Sequence, residues 1–234
     1  GLMGAATDLL MIYLSLELVS ILSYVVTGLQ PTEARSREAA LKYVIYGGAA
    51  SGVMLYGMSL LFGTAGSTNL LAIREAIVAG PQDFTLLVAI ALMLGGFGYK
   101  IAAVPFHMWA PDVYEGAPTP IAAFFSVAPK AAGFAVLLRV FATFFGGTGD
   151  LGSFGVALGQ LVAVMAIATM VVGNLGAMRQ TNVKRFLAYS SIAHAGYAMM
   201  GVALLPSLAT NAAATAGIQA VLLYMIFYLF MNLG

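Results

Sequence analysis

Three ionisable residues, Glu17, Lys100 and Lys130, lie well inside long apolar runs of the sequence. A charge at the centre of a membrane helix costs about 2.5–3.5 kcal/mol on insertion scales. Each of the three must therefore face a partner or a water-filled cavity. A low-dielectric site also disfavours the charged form of an ionisable group. Groups poised between their two forms exchange protons, the basic requirement of a relay. Intramembrane charges mark ion or proton paths by default, and as a set these three favour proton or ion handling over packing. Plainer readings exist for two of them. Glu17 could pair with a lysine and fix helix contacts, and Lys100, near the end of its run, could snorkel its ammonium to the interface. Lys130 is too deep in its span for that.

The flanking residues bear on mobility. Gly95-Gly96-Phe97-Gly98 precedes Lys100 and Pro105 follows it. Both residue types weaken a helix interior, which predicts a broken helix near 100–106. At membrane depth, broken helices line cavities or ion paths. Pro129, immediately before Lys130, predicts a kink. The stretch from Val104 to Pro120 is the densest polar segment, with His107, Trp109, Asp112, Tyr114 and Glu115. It reads either as a half-helix and turn at the cytoplasmic interface or, equally, as an interfacial anchor with Trp and Tyr at headgroup depth.

Further on, His194 shares a helical face with Ser190 and Tyr197, beside Ser191. That polar stripe is either a hydrated proton path or, the reading favoured for a lone His, a hydrogen-bonded helix contact. Arg139, near a span end, is expected to snorkel. With 2 His and 0 Cys the chain cannot build an ordinary zinc site unaided, and thiol and disulfide chemistry are excluded. No phosphate loop or nucleophile triad is present.

The elements that position these residues follow from composition. Hydrophobic residues make up 61% of the 234 and charged residues 8%, against about 25% charged in soluble domains. Lipid is the consistent solvent. A net charge of +1 gives nucleic acid no handle. The runs are about twenty residues long and apolar all round, so they are helices rather than barrel strands. They fall at 8–28, 39–63, 84–104, 119–145, 154–177, 182–205 and 212–233. Together they form a single transmembrane domain over 1–234, an all-α integral membrane bundle. Residues 1–6 read as the tail of an earlier span, and residues 69–79 as a short surface helix. Gln30-Pro31-Thr32, Gly80-Pro81-Gln82 and Gly146 to Asp150 read as turns. Arg35, Arg37, Lys42, Arg179, Lys184 and Arg185 fall on one side and only Arg74 on a loop of the other, so the first side is expected to be cytoplasmic. The chain begins and ends within apolar sequence, as an internal piece of a longer polytopic protein would.

These features together resemble the antiporter-like subunits of respiratory complex I. The resemblance rests on Lys100, the Val104–Pro120 stretch and Lys130. Three details are similar to the N type of these subunits: Pro111-Asp-Val-Tyr-Glu-Gly-Ala-Pro118, Leu16-Glu-Leu-Val-Ser20 and Asn182-Val-Lys-Arg-Phe-Leu-Ala-Tyr-Ser-Ser191. The L and M types and the multisubunit cation/proton antiporters share the general pattern. After the buried lysine they usually read Pro-Asp-Ala-His rather than Pro-Asp-Val-Tyr. The resemblance covers essentially the whole chain.

The resemblance implies a bundle with two inverted repeats of five helices, of which this chain would hold the end of helix 4 through helix 11. It implies that Glu17 is a modulating acid paired with Lys100, that Lys130 is the central relay, and that His194 lies near the hydrophilic axis. The family's helix-12 lysine is expected beyond the end of the chain. The implied activity is proton translocation in the energy-transducing membrane, coupled to quinone reduction elsewhere in the complex. NADH, FMN, iron–sulfur clusters and quinone would belong to other subunits, with no cofactor in this chain. The partners would be the M-type subunit, small membrane subunits and lipid. The alternatives are a cation/proton antiporter subunit with no redox partner and a structural subunit whose charges only join helices.

Overall fold

A backbone in hydrocarbon must satisfy its own polar groups, and in this chain it does so by helix throughout the long apolar runs. The computed structural model describes residues 2–146, 151–207 and 211–233. Within them run α1 (Leu2–Ala5), α2 (Leu9–Thr27), α3 (Ala34–Ala65), α4 (Leu70–Ala79), α5 (Phe84–Ile101), α6 (Trp109–Gly116), α7 (Thr119–Phe145), α8 (Gly152–Met178), α9 (Val183–Ser207) and α10 (Asn211–Leu233). Of the turn read at Gly146 to Asp150, residues 147–150 lie outside the described residues.

Among the described residues, six helices are long and apolar enough to cross a membrane: α2, α3, α5, α7, α8 and most of α10. α9 is not among them, because Ser190, Ser191, His194 and Tyr197 dilute its apolar character. It nevertheless packs between α8 and α10 and touches α6 and α7. The outer faces carry exposed Leu14, Leu18 and Leu22 on α2 and Leu223, Phe227 and Phe230 on α10, as a lipid-facing surface requires.

Three helix starts are closed by side chains. Asp8 caps α2 by accepting the Leu10 amide at 2.8 Å. Asn69 caps α4 through the Leu71 and Ala72 amides. Asp83 caps α5 through Leu86 at 3.0 Å. Each satisfies amides that the first helical turn leaves free. Between α8 and α9, Gly173 lies where an added Cβ would come within 2.7 Å of the Ala193 Cα. Two backbones approach that closely only over small residues.

α5 ends where its interior chemistry fails. Ala102 takes a left-handed conformation, φ 60° and ψ 43°, which costs a residue with a Cβ about 1–3 kcal/mol. The Ala103 amide reaches back to the Gly98 carbonyl at 2.7 Å, a Schellman-type stop. The chain then turns through 103–108, with a cis bond between Val104 and Pro105, before α6 begins. This is the helix break read from Gly95–Gly98 and Pro105. Pro105 is exposed while His107 is half-buried.

Candidate functional site

Side chains from neighbouring helices close the break. The Val104 amide donates to Thr169 Oγ1 of α8 at 2.9 Å, and Trp109 Nε1 donates to the Tyr99 carbonyl at 2.9 Å. The Trp109 ring stacks on Tyr43 with centroids 4.5 Å apart, and the Tyr99 hydroxyl donates to the Tyr43 carbonyl at 3.0 Å. Trp109 and Tyr114 are 2% and 3% exposed, so neither is a headgroup anchor. The segment holds the short helix α6, Trp109–Gly116. The rings are used to satisfy and pack the broken backbone.

Lys100 lies in the last turn of α5, where the helix C-terminus favours a cation. It is 2% exposed, so it does not snorkel, and its Nζ donates to Ser20 Oγ of α2 at 3.0 Å. Glu17, one turn earlier on α2, accepts from the Ser51 hydroxyl of α3. No carboxylate among the described residues lies within 4.0 Å of Lys100 or Lys130. The direct Glu17–Lys100 pair implied by the resemblance is therefore absent in this conformation. Glu17 stays within electrostatic reach of Lys100, with Ser20 and Ser51 taking the hydrogen bonds. Ser20 and Glu17 share an α2 face at i, i+3, a signal present in the sequence. Nothing local to Ser51 announces its role.

Lys130 is 2% exposed. Its Nζ donates to the Ser191 carbonyl at 2.7 Å and to the Ser191 hydroxyl. Pro129 precedes it inside α7 and removes the amide that would have bonded the Phe125 carbonyl. The Ser191 hydroxyl meets the Tyr228 hydroxyl of α10 at 2.7 Å and the Tyr114 hydroxyl of α6 at 3.3 Å. His194 Nδ1 bonds the Tyr224 hydroxyl, and the His194 ring lies 5.3 Å from that of Tyr228. The polar stripe of α9 therefore faces Lys130 and α10 through Ser191 and His194, while Tyr197 accepts from Asn174 of α8 at 3.0 Å. Tyr224 and Tyr228, an i, i+4 pair, went unread in the sequence.

The remaining polar residues of the 104–120 stretch serve a different end. Asp112 accepts from Lys42 at 2.8 Å and pairs with Arg185. Glu115 pairs with Arg185 at 3.0 Å and with Arg35 at 3.4 Å. Lys184 Nζ donates to the Ala117 carbonyl at 2.9 Å. This cluster ties α6 to Arg35 and Lys42 of α3 and to Lys184 and Arg185 of α9, so four of the cationic residues read on that side meet in a single patch. Burial opposes ionisation of Asp112, but the bonds from Lys42 and Arg185 outweigh it and hold the carboxyl below its ordinary value. Arg139 does not snorkel. It donates to the Ala6 and Gly4 carbonyls at 2.8 and 2.7 Å, satisfying the end of α1.

A many-helix membrane bundle with one helix broken beside a buried lysine, and a second lysine buried on the next long helix, is an antiporter-like membrane domain. The chain belongs to the NADH:quinone oxidoreductase/Mrp antiporter transmembrane family, whose model matches residues 6–234. It is 50% identical to NADH-quinone oxidoreductase subunit N of Anaeromyxobacter sp. strain Fw109-5, over 100% of this chain and 46% of that one. The chain thus spans about half the length of the curated relatives it matches. Among solved structures it is similar to a chain of respiratory complex I from Thermus thermophilus with bound aureothin, with TM-score 0.72 and 34% identity, covering 99% of this chain and 48% of that one. It is also similar to a chain of the membrane-bound sulfane sulfur reductase, an archaeal respiratory membrane complex, with TM-score 0.82 and 30% identity, covering 99% of this chain and 45% of that one.

Proposed function

We propose that this chain forms part of a proton-translocating membrane subunit of NADH:quinone oxidoreductase, in an energy-transducing membrane. The observation that carries this is the pair of lysines, Lys100 and Lys130, each 2% exposed and hydrogen-bonded to hydroxyl or carbonyl oxygen rather than to a carboxylate. A lysine kept only as helix glue gains most from a carboxylate partner, whereas a lysine held by neutral oxygens can lose its proton without stranding a buried anion. Under this reading Glu17 modulates Lys100 through space, Lys130 is the central relay and His194 lies on the path beyond it. α9 crosses the membrane with the six apolar helices, and the chain supplies the end of helix 4 through helix 11 of the family bundle. Its partners are the other membrane subunits of the complex. Quinone reduction, with NADH, FMN and iron–sulfur clusters, takes place in other subunits.

The test is proton pumping by the whole assembled complex in vesicles carrying Lys100→Ala, with electron transfer followed in the same sample. Pumping is expected to fall, and electron transfer to slow with it because the two are coupled. Normal values for both would make Lys100 a packing residue and end this reading. The cation/proton antiporter alternative draws on the same family match. It separates by whether the subunit copurifies with hydrophilic redox subunits.

A further inference from the structure

The Ser191 hydroxyl occupies a position that packing alone does not require. A serine hydroxyl carries one proton to donate and two lone pairs to accept with, and here three neighbours converge on it: Lys130 Nζ, Tyr114 Oη and Tyr228 Oη. All four groups are buried. The lysine can only donate, so one lone pair is committed to it. The hydroxyl then accepts from one tyrosine and donates to the other. Two arrangements satisfy every group: Ser191 donates to Tyr114 and accepts from Tyr228, or the reverse.

The two arms lead to different places. Tyr114 belongs to α6 and also lines a cavity of about 210 Å³ that is polar at Thr119, Ser126, Lys184 and Asn232 and apolar over the rest of its wall. Tyr228 belongs to α10, whose Tyr224 pairs with His194 of α9 as the next polar contact. Lys130 is meanwhile anchored by the Ser191 carbonyl at 2.7 Å, whichever way the hydroxyl points.

We propose that Ser191 is a proton-transferring residue that sets the direction of exchange at Lys130, toward the α6 cavity or toward α10, by reversing its hydroxyl. The inference rests on the proton-translocating reading above. In one transfer the Lys130 ammonium gives a proton to Ser191 Oγ as the Ser191 hydroxyl proton passes to a tyrosine oxygen. That tyrosine releases its own proton to water or to the α10 side. Every oxygen keeps one proton, Lys130 is left neutral and no electron moves. Rotation of the hydroxyls resets the chain.

The test is Ser191→Ala in the assembled complex, measuring the rate of proton pumping in H2O and D2O. The carbonyl anchor of Lys130 survives this change. Pumping is expected to fall about 100-fold, the lower end for loss of a positioned proton-transfer group, with Ser191→Thr restoring it. Tyr114→Phe and Tyr228→Phe should each impair one direction and together match Ser191→Ala. That double variant also serves if Ser191→Ala fails to assemble. Normal pumping by Ser191→Ala, with an unchanged isotope effect, overturns the proposal. Lys130→Ala run alongside separates the two readings: if it stops pumping while Ser191→Ala does not, only the Ser191 role is lost. If Lys130→Ala also pumps normally, the translocation reading goes with it.

Discussion

Gly133 makes the room that Lys100 occupies. An added Cβ on Gly133 would lie 3.4 Å from Lys100 Cγ and 2.8 Å from Ile101 Cγ2, and Ile101 is fully buried. Gly133 also lies one turn after Lys130 on α7, so the crossing of α5 and α7 sets the spacing of the two lysines. Gly133→Ala is therefore expected to displace Lys100 from Ser20. Overpacking of this kind costs about 1–3 kcal/mol, and an ångström of misplacement can cost up to about 100-fold in a proton-transfer step. Vesicle assays of the assembled complex should show pumping falling much more than the amount of complex does. Equal losses would show that the glycine serves packing alone.

Thr169 holds the broken backbone. Replacing it with Val keeps the shape and removes the acceptor of the Val104 amide, leaving a buried donor unpaired at a cost of about 1–3 kcal/mol. Thermal unfolding of the purified protein in detergent should show a lower midpoint for Thr169→Val and a near-normal one for Thr169→Ser. A Val variant as stable as the parent would mean that water reaches the Val104 amide.

Trp109 contributes a hydrogen bond and a stack, and the two can be separated. Trp109→Phe keeps a ring against Tyr43 and removes the indole bond, leaving the Tyr99 carbonyl with the Ala102 amide at 3.1 Å, which should cost about 0.5–1.5 kcal/mol. Trp109→Ala removes the stack as well and should cost about 3–5 kcal/mol. The same melting experiment ranks them, and identical midpoints would show that the stack adds nothing.

The ion cluster on α6 predicts an acid limit. The Asp112 carboxyl is held below its ordinary value of 3.8, so its contribution to stability is complete above pH 3.8. It is lost as pH falls through the lower folded-state value. Asp112→Asn should lower stability at neutral pH and flatten this acid arm of the profile. Chemical denaturation at a series of pH values checks both. A variant that kept the parent's acid arm would assign that arm to another carboxylate.

The helices were legible because lipid leaves the backbone few choices. The run read at 119–145 is the helix Thr119–Phe145, and the break near 100–106 follows from Gly95, Gly96, Gly98 and Pro105. Relations between helices were not legible. The partners of Glu17 and Lys100 depend on which faces of α2 and α3 meet α5, and spacing along one helix does not contain that. On α9 the sequence drew the stripe through Ser190, whereas Ser191 faces Lys130. One residue rotates a helix by about 100°, enough to exchange neighbours. The partners of Arg139 were not legible because the carbonyls it binds, on Gly4 of α1 and on Ala6 just beyond it, lie far away in sequence.

That last contact bears on how the protein is made. The carbonyls of Gly4 and Ala6 wait for a guanidinium 135 and 133 positions downstream. At ~5–20 residues per second of synthesis, roughly 7–27 s separate the emergence of the two. During that interval the C-terminal end of α1 lacks its native donor and depends on water, lipid headgroups or the insertion machinery. The end of α1 is thus fastened only after Arg139 of α7 has left the ribosome, and a nascent chain arrested before Arg139 should show α1 still open to crosslinking by its surroundings.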